Sequence, residues 1–154
     1  MPRARRTAIA EDLRSRLSDQ GFKLRADGET RFTLTSRGCR LTLNFERYPE
    51  EGDPFILFLA PSSGPTDRLH YWILRQVFGA RDEGCGSVTE RCAHVLNTHF
   101  ADMLKGDFSR ARIYDRYEGR VLDGLEKARS LPATDPIHDK IRAFDITWVE
   151  DLEG

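Results

Sequence analysis

The spacing of hydrophobic residues predicts that the chain begins with a helix. Over residues 7–20 apolar side chains recur every four positions, at Ile9, Leu13 and Leu17, and charged residues occupy the other faces. This period is typical of a helix that packs one side against a core. Gly21 is followed by an apolar residue, which is the order expected at a helix C-cap, so the helix is predicted to end there.

The period then changes to the alternation that is typical of strands. Apolar and polar residues alternate over residues 22–45, with turn-forming residues at 27–28 (Asp-Gly) and 36–38 (Ser-Arg-Gly). Residues 55–59 are apolar at every position, so we expect both faces of this segment to be buried and the segment not to be a sheet edge. A meander of four antiparallel strands is therefore predicted over residues 22–60.

A helical period returns after the predicted sheet, over residues 66–143. Ser63 or Thr66 is placed to cap a first helix that ends near Phe78, before a glycine. Further helices are predicted from the glycine-rich residues 84–87 to about residue 104, from residue 106 towards residue 130, and over residues 136–142.

The C-terminal residues 144–154 leave two alternatives open. Phe144, Ile146 and Trp148 alternate with polar residues, which predicts either a fifth strand or a tail that covers the core. A chain of 154 residues with 39% hydrophobic and 32% charged residues has the size and composition of one ordinary domain. The prediction is a single α+β domain over residues 1–154, with an N-terminal helix, an antiparallel sheet and then three or four packed helices.

Charge is distributed unevenly along a chain whose total charge is almost zero. Residues 1–48 contain 11 Arg or Lys and 6 Asp or Glu, whereas the remainder contains 13 and 19. Because side chains alternate between the two faces of a strand, basic and hydroxyl-bearing residues are expected to share one face of the sheet. The candidate binding surface consists of Lys23, Arg25, Arg31, Arg40, Thr42 and Asn44, together with Thr33. It is interpreted either as a solvated sheet face or as a surface for phosphates or an acidic protein.

Two cysteines and two histidines between residues 85 and 99 have a spacing that invites a zinc hypothesis. The spacing of Cys85, Cys92, His94 and His99 matches no standard zinc module. On a helix, Cys92 and His99 fall on one face and His94 on the opposite face, so the four side chains cannot converge. We therefore expect no metal, a buried His99 and an exposed His94.

Catalytic chemistry has little support in the sequence. Ser62 lies in a Ser-Ser-Gly-Pro stretch before the predicted helix that bears Asp67 and His70, but turn and capping chemistry explains this stretch. Phosphate-binding, zinc-protease and calcium-loop motifs are absent from the sequence, so no cofactor is expected. An enzyme would have to assemble its site from a dispersed set of residues, which we call the catalytic pool: Ser62, Asp67, His70 and His99.

Three classes of function remain. The first is a small non-enzymatic interaction protein whose partner is another protein: a toxin-neutralising immunity-like protein, an adaptor or a chaperone for one partner. The second is a nucleic-acid binder that uses the cationic sheet face, although a pI of about 6.4 and the absence of aromatic residues among the outward strand positions argue against it. The third is an enzyme built from the catalytic pool.

Location is predicted from simple composition. The longest apolar run, residues 55–60, is too short to span a bilayer, and the first residues lack the apolar stretch of a secretory signal. Three cysteines in such a chain are expected to be free thiols in a reducing compartment. We therefore expect a cytoplasmic protein without a membrane partner; 20 of its 24 basic residues are Arg, a bias associated with GC-rich bacterial genomes.

Overall fold

The fold is of the α+β class, as predicted. The computed structural model describes residues 1–18, 21–45, 54–65, 67–82, 84 and 86–154. The first elements are α1 (Arg3–Arg16), β1 (Lys23–Ala26), β2 (Arg31–Thr35), β3 (Cys39–Asn44), β4 (Ile56–Pro61) and β5 (Leu69–His70). They are followed by α2 (Tyr71–Phe78), α3 (Val88–His99), α4 (Ala101–Leu104), α5 (Ala111–Arg129), α6 (Ile137–Arg142) and α7 (Thr147–Glu153).

The chain divides into two compact units. The first contains Met1–Tyr71 and Asp82–Phe108, and the second contains Trp72–Arg81 and Ser109–Gly154. The organisation of residues 1–154 as a single domain stays a prediction. The first unit carries 14 basic and 15 acidic residues and the second carries 10 of each, so the charge asymmetry along the sequence does not separate the units.

The first unit is built on an antiparallel sheet in which the strands follow chain order, β1-β2-β3-β4-β5. One face of the sheet forms the core, because every second residue of β2, β3 and β4 is a large apolar side chain. These core residues are Phe32, Leu34, Leu41, Leu43, Leu57 and Leu59. Helix α1 contacts β1 and β2, and α3 contacts α1.

Helix α1 is displaced from its predicted bounds. It begins at Arg3 and ends at Arg16, and Leu17 continues in an extended conformation with a ψ of 136°. Leu17 nevertheless stays 1% exposed, so the apolar stripe extends past the end of the helix. The predicted end at Gly21 was therefore wrong, because an apolar period marks the buried side of a segment and not its last helical residue.

A fifth strand lies where a helix was predicted. Leu69 pairs with Leu59 and His70 pairs with Phe58, so β5 covers the edge of β4 and α2 begins directly after it. Capping of this helix by Ser63 was therefore wrong, and Thr66 lies outside the described residues. Pairing of β4 on both sides confirms that it is not a sheet edge.

The helices of the second half of the chain differ from the predicted helices mainly in the residue at which each one starts. The helix predicted after residues 84–87 is α3, and Ser87 caps it, since its hydroxyl accepts a hydrogen bond from the Glu90 amide at 3.2 Å. The helix predicted from residue 106 starts only at Ala111. Gly106 instead has a φ of +99°, which places it in the left-handed region that favours glycine.

The C-terminal residues are helical, so the predicted strand was wrong. Asp145 accepts hydrogen bonds from the amide (3.1 Å) and the hydroxyl (2.6 Å) of Thr147 just before α7, and these bonds lower the pKa of the Asp145 carboxyl. Trp148 is fully buried and donates its indole N–H to Gln76 Oε1 at 2.9 Å. Gln76 in turn donates to the Ile141 carbonyl at 2.8 Å, so this tail does cover the core of the second unit.

Within the first unit, the turn between β2 and β3 touches the chain that follows α4 at two glycines. A Cβ atom on Gly38 would lie 2.7 Å from the Gly106 Cα and 2.8 Å from the Lys105 carbonyl oxygen. Both distances are shorter than real side-chain contacts, and both partners are backbone atoms that cannot move aside cheaply. This close approach requires glycine at position 38.

We expect the Gly38→Ala substitution to lower the free energy of unfolding by about 1–3 kcal/mol, because the two backbone segments must separate. Gly119→Ala is the matched control, since a Cβ there meets nothing within 4 Å in the middle of α5. This control should raise the free energy of unfolding by about 0.5–1 kcal/mol. Urea denaturation followed by circular dichroism measures the free energy of unfolding of both variants. A change of the same sign in the two variants would contradict the close contact between Gly38 and Gly106.

Candidate functional site

The antiparallel register places the candidate residues on one face of the sheet, which we call the outward face. Directly opposed residues in neighbouring antiparallel strands lie on the same side, so the face consists of three rows. The rows are Lys23–Thr35–Arg40–Ala60, Arg25–Thr33–Thr42–Phe58–His70 and Arg31–Asn44–Ile56. All six residues of the predicted binding surface therefore share this face.

The outward face is not uniformly solvated. Lys23 and Arg25 are exposed, and Arg31, Arg40 and Asn44 are half-buried. Thr42 is 1% exposed and its partner Thr33 is 3% exposed, so the middle of the face is closed to solvent. Thr42 was expected at the surface, and it is buried because other parts of the chain cover the central row.

Each of the three arginines of the face has a partner within the chain. Arg25 forms an exposed ion pair with Asp27 at 3.1 Å, and Arg31 pairs with Asp67. The Arg40 guanidinium donates to the carbonyl oxygens of Ser62 at 2.6 Å and Gly64 at 3.3 Å. The surface is therefore less cationic than the sequence suggests.

The partners of Arg31 and Arg40 belong to the chain between β4 and β5, which we call the covering segment (residues 62–65 and 67). Strands in a sheet are about 4.8 Å apart, so three such spacings separate β2, which carries Arg31, from β5. Asp67 can meet Arg31 only because the covering segment folds back over the outward face. It is held at the rows on either side of the central row, and Thr33 and Thr42, which lie between these two attachments, are buried.

Two apolar side chains of β4 also belong to the outward face. Phe58 and Ile56 are half-buried, whereas Leu57 and Leu59 point into the core. The Phe58 ring meets the His70 ring edge-to-face with 5.2 Å between the centroids. The expectation that both faces of β4 are buried therefore holds for its inward side chains and only in part for its outward ones.

Three members of the catalytic pool have partners outside the pool. The Ser62 hydroxyl donates to the Arg37 carbonyl at 2.7 Å, Asp67 pairs with Arg31, and His70 packs on Phe58. Asp67 and His70 lie in a turn and in β5, not on the predicted helix. Ser62 thus acts in turn formation, as the sequence indicates.

His99 is exposed, contrary to the prediction, and His94 is exposed, as predicted. His99 has the helical phase of the buried stripe, but it is the last residue of α3. Helical phase fixes the direction of a side chain and not whether another element faces it. Cys92 is buried and Cys85 lies outside the described residues, and within the described part of the chain no three potential metal ligands group together.

Sequence reasoning missed the apolar component of the face and the role of Asp67. The outward exposure of Ile56 and Phe58 follows from the period of two once β4 is taken as a one-sided strand, and this signal was available. The Arg31–Asp67 pair joins residues 36 positions apart, and no local pattern marks it.

Comparison with protein-family models, curated proteins and solved structures found no match for this chain. Among the described residues, no helix has the length and apolar character needed to cross a bilayer.

We expect Arg40→Met to loosen the covering segment, because two carbonyl oxygens lose a charged donor. The free energy of unfolding should fall by about 1–3 kcal/mol, and amide exchange at Gly64 should accelerate. Arg37→Met is the matched control, since Arg37 is exposed and contributes its backbone carbonyl to this region. Equal effects of the two substitutions on Gly64 exchange would contradict the anchoring role of Arg40.

Proposed function

We propose that this is a non-enzymatic interaction protein that binds another protein through its outward face. The observation that carries the proposal is the partial exposure of Ile56 and Phe58 on the same face as Arg25, Arg31 and Arg40. Aromatic residues and arginine are the residue types enriched at protein–protein interfaces. Ile56 and Phe58 are neighbours on this face, and two adjacent apolar side chains are more informative than a single exposed one.

The charge of the face indicates the chemistry of the partner. It carries four basic residues, Lys23, Arg25, Arg31 and Arg40, and the acidic residues paired with them are Asp27 and Asp67. Basic residues on β1–β3 beside apolar residues on β4 favour a partner surface that carries carboxylates next to an apolar side chain. An immunity-like protein, an adaptor and a single-partner chaperone all fit this description.

Nucleic acid is the less favoured partner. A phosphate would have to compete for arginines that already have partners inside the chain, and the chain as a whole is slightly acidic. An enzyme is also less favoured, because three side chains of the catalytic pool have structural partners. We propose the cytoplasm as the location, as the sequence predicts.

A labelled peptide of alternating glutamate and leucine tests the proposal by fluorescence anisotropy at physiological salt. We expect it to bind at least about tenfold more tightly than the corresponding glutamine–leucine peptide or duplex DNA. Phe58→Asn should weaken binding by about tenfold, since buried aromatic anchors dominate interfaces. Leu122→Asn is the matched control, because Leu122 is a 51% exposed apolar residue on α5 of the second unit, and it should leave binding unchanged.

Tighter, steeply salt-dependent binding of duplex DNA would favour the nucleic-acid alternative instead. Absence of any preference for the acidic peptide, or equal effects of the Phe58 and Leu122 substitutions, would contradict binding through the outward face.

A further inference from the structure

The covering segment is anchored differently at its two ends. At the end near β4, the Ser62 amide donates to the Gly38 carbonyl at 3.2 Å and the Ser62 hydroxyl donates to the Arg37 carbonyl at 2.7 Å. Arg40 adds its two hydrogen bonds to carbonyl oxygens of the same segment. Each of these bonds joins the covering segment to β3 or to the turn before it, so a ligand carboxylate could replace them only if the backbone of the segment moved away.

The other end is held by a side-chain ion pair. Asp67 and Arg31 each have 37% of their side-chain surface exposed, and ion pairs of this exposure contribute little to stability because water and salt screen them. Asp67 has a φ of +58°, a left-handed conformation that aspartate adopts more readily than most other residues, so the ion pair is the feature that decides how firmly it is held. The position of Asp67 over the sheet is therefore weakly held.

We propose that Arg31 is the position at which the outward face receives a carboxylate of its protein partner, and that Asp67 occupies this position in the unbound protein. The inference rests on the proposed function and assigns the partner's acidic group to one residue. A guanidinium offers a planar pair of donors that matches a carboxylate, so a glutamate or aspartate of the partner replaces Asp67 with the same chemistry.

Arg31 is favoured over the other two arginines of the face by its partner and by its neighbours. Arg40 donates to backbone carbonyls, and Arg25 is 74% exposed and pairs with Asp27 only two residues away, so that pair re-forms locally. Arg31 shares its row with Ile56. Ile56 lies two strands away from Arg31 in this row, within reach of a partner that also contacts Arg31.

The test compares Asp67→Asn with Asp27→Asn. Each substitution removes the negative charge of an aspartate that pairs with an arginine of the outward face. A general electrostatic effect on the binding of an acidic ligand is therefore the same for both variants. If Asp67 occupies the binding position, Asp67→Asn should raise the affinity for the glutamate–leucine peptide by about tenfold, and Asp27→Asn by less than about twofold. When Arg31→Met is also present, Asp67→Asn should no longer change the affinity.

Binding is measured by anisotropy on the full chain, after urea denaturation has shown that each variant is folded. Equal gains for the two asparagine variants overturn the role of Arg31. If Phe58→Asn still weakens peptide binding in that case, the proposed function remains supported although the role of Arg31 is not. Absence of peptide binding by all the variants, including Asp67→Asn, overturns both the inference and the proposed function.

Discussion

The arrangement of the outward face depends on the antiparallel register of β2, β3 and β4. This register opposes Thr33, Thr42 and Phe58 in one row and leaves Leu34, Leu41 and Leu59 on the core side. Because side chains alternate with a period of two, a slip by one residue would bring the arginines into the core and the leucines into solvent. The burial of the core residues therefore fixes the composition of the opposite face.

The same register explains why the face carries arginine and apolar residues together. The outward residues of β1–β3 are polar, whereas β4 supplies Ile56 and Phe58, and β5 adds His70 at the edge. The covering segment lies over this face with a firmly held end at Arg40 and a weakly held end at Arg31, where Asp67 neutralises one positive charge. In the function we propose, a partner carboxylate must offer Arg31 more than Asp67 already does, and this competition would make the face selective.

The sequence allowed prediction of the features that depend on neighbours in the chain. The alternation of residues 22–45 and the Asp-Gly turn at residues 27–28 are local signals, and the four predicted strands are present. Strand β5 has two residues, too few to show a period, and it exists because it pairs with Leu59 and Phe58. The burial of Thr42 was equally hidden, since it depends on a segment that returns over the sheet. His99 is the opposite case: its position in the helical period clearly predicts burial, and yet its side chain is exposed.

The most direct measurement of the central claim is the change in amide chemical shifts on titration of the labelled protein with the glutamate–leucine peptide. We expect the perturbed signals to cluster at the outward residues of β2–β4, including Arg31 and Phe58, and at Gly64 and Asp67 of the covering segment. Signals from α5 should stay in place. Perturbations confined to the helices of the second unit, with the outward face unchanged, would contradict the assignment of this face as the binding surface.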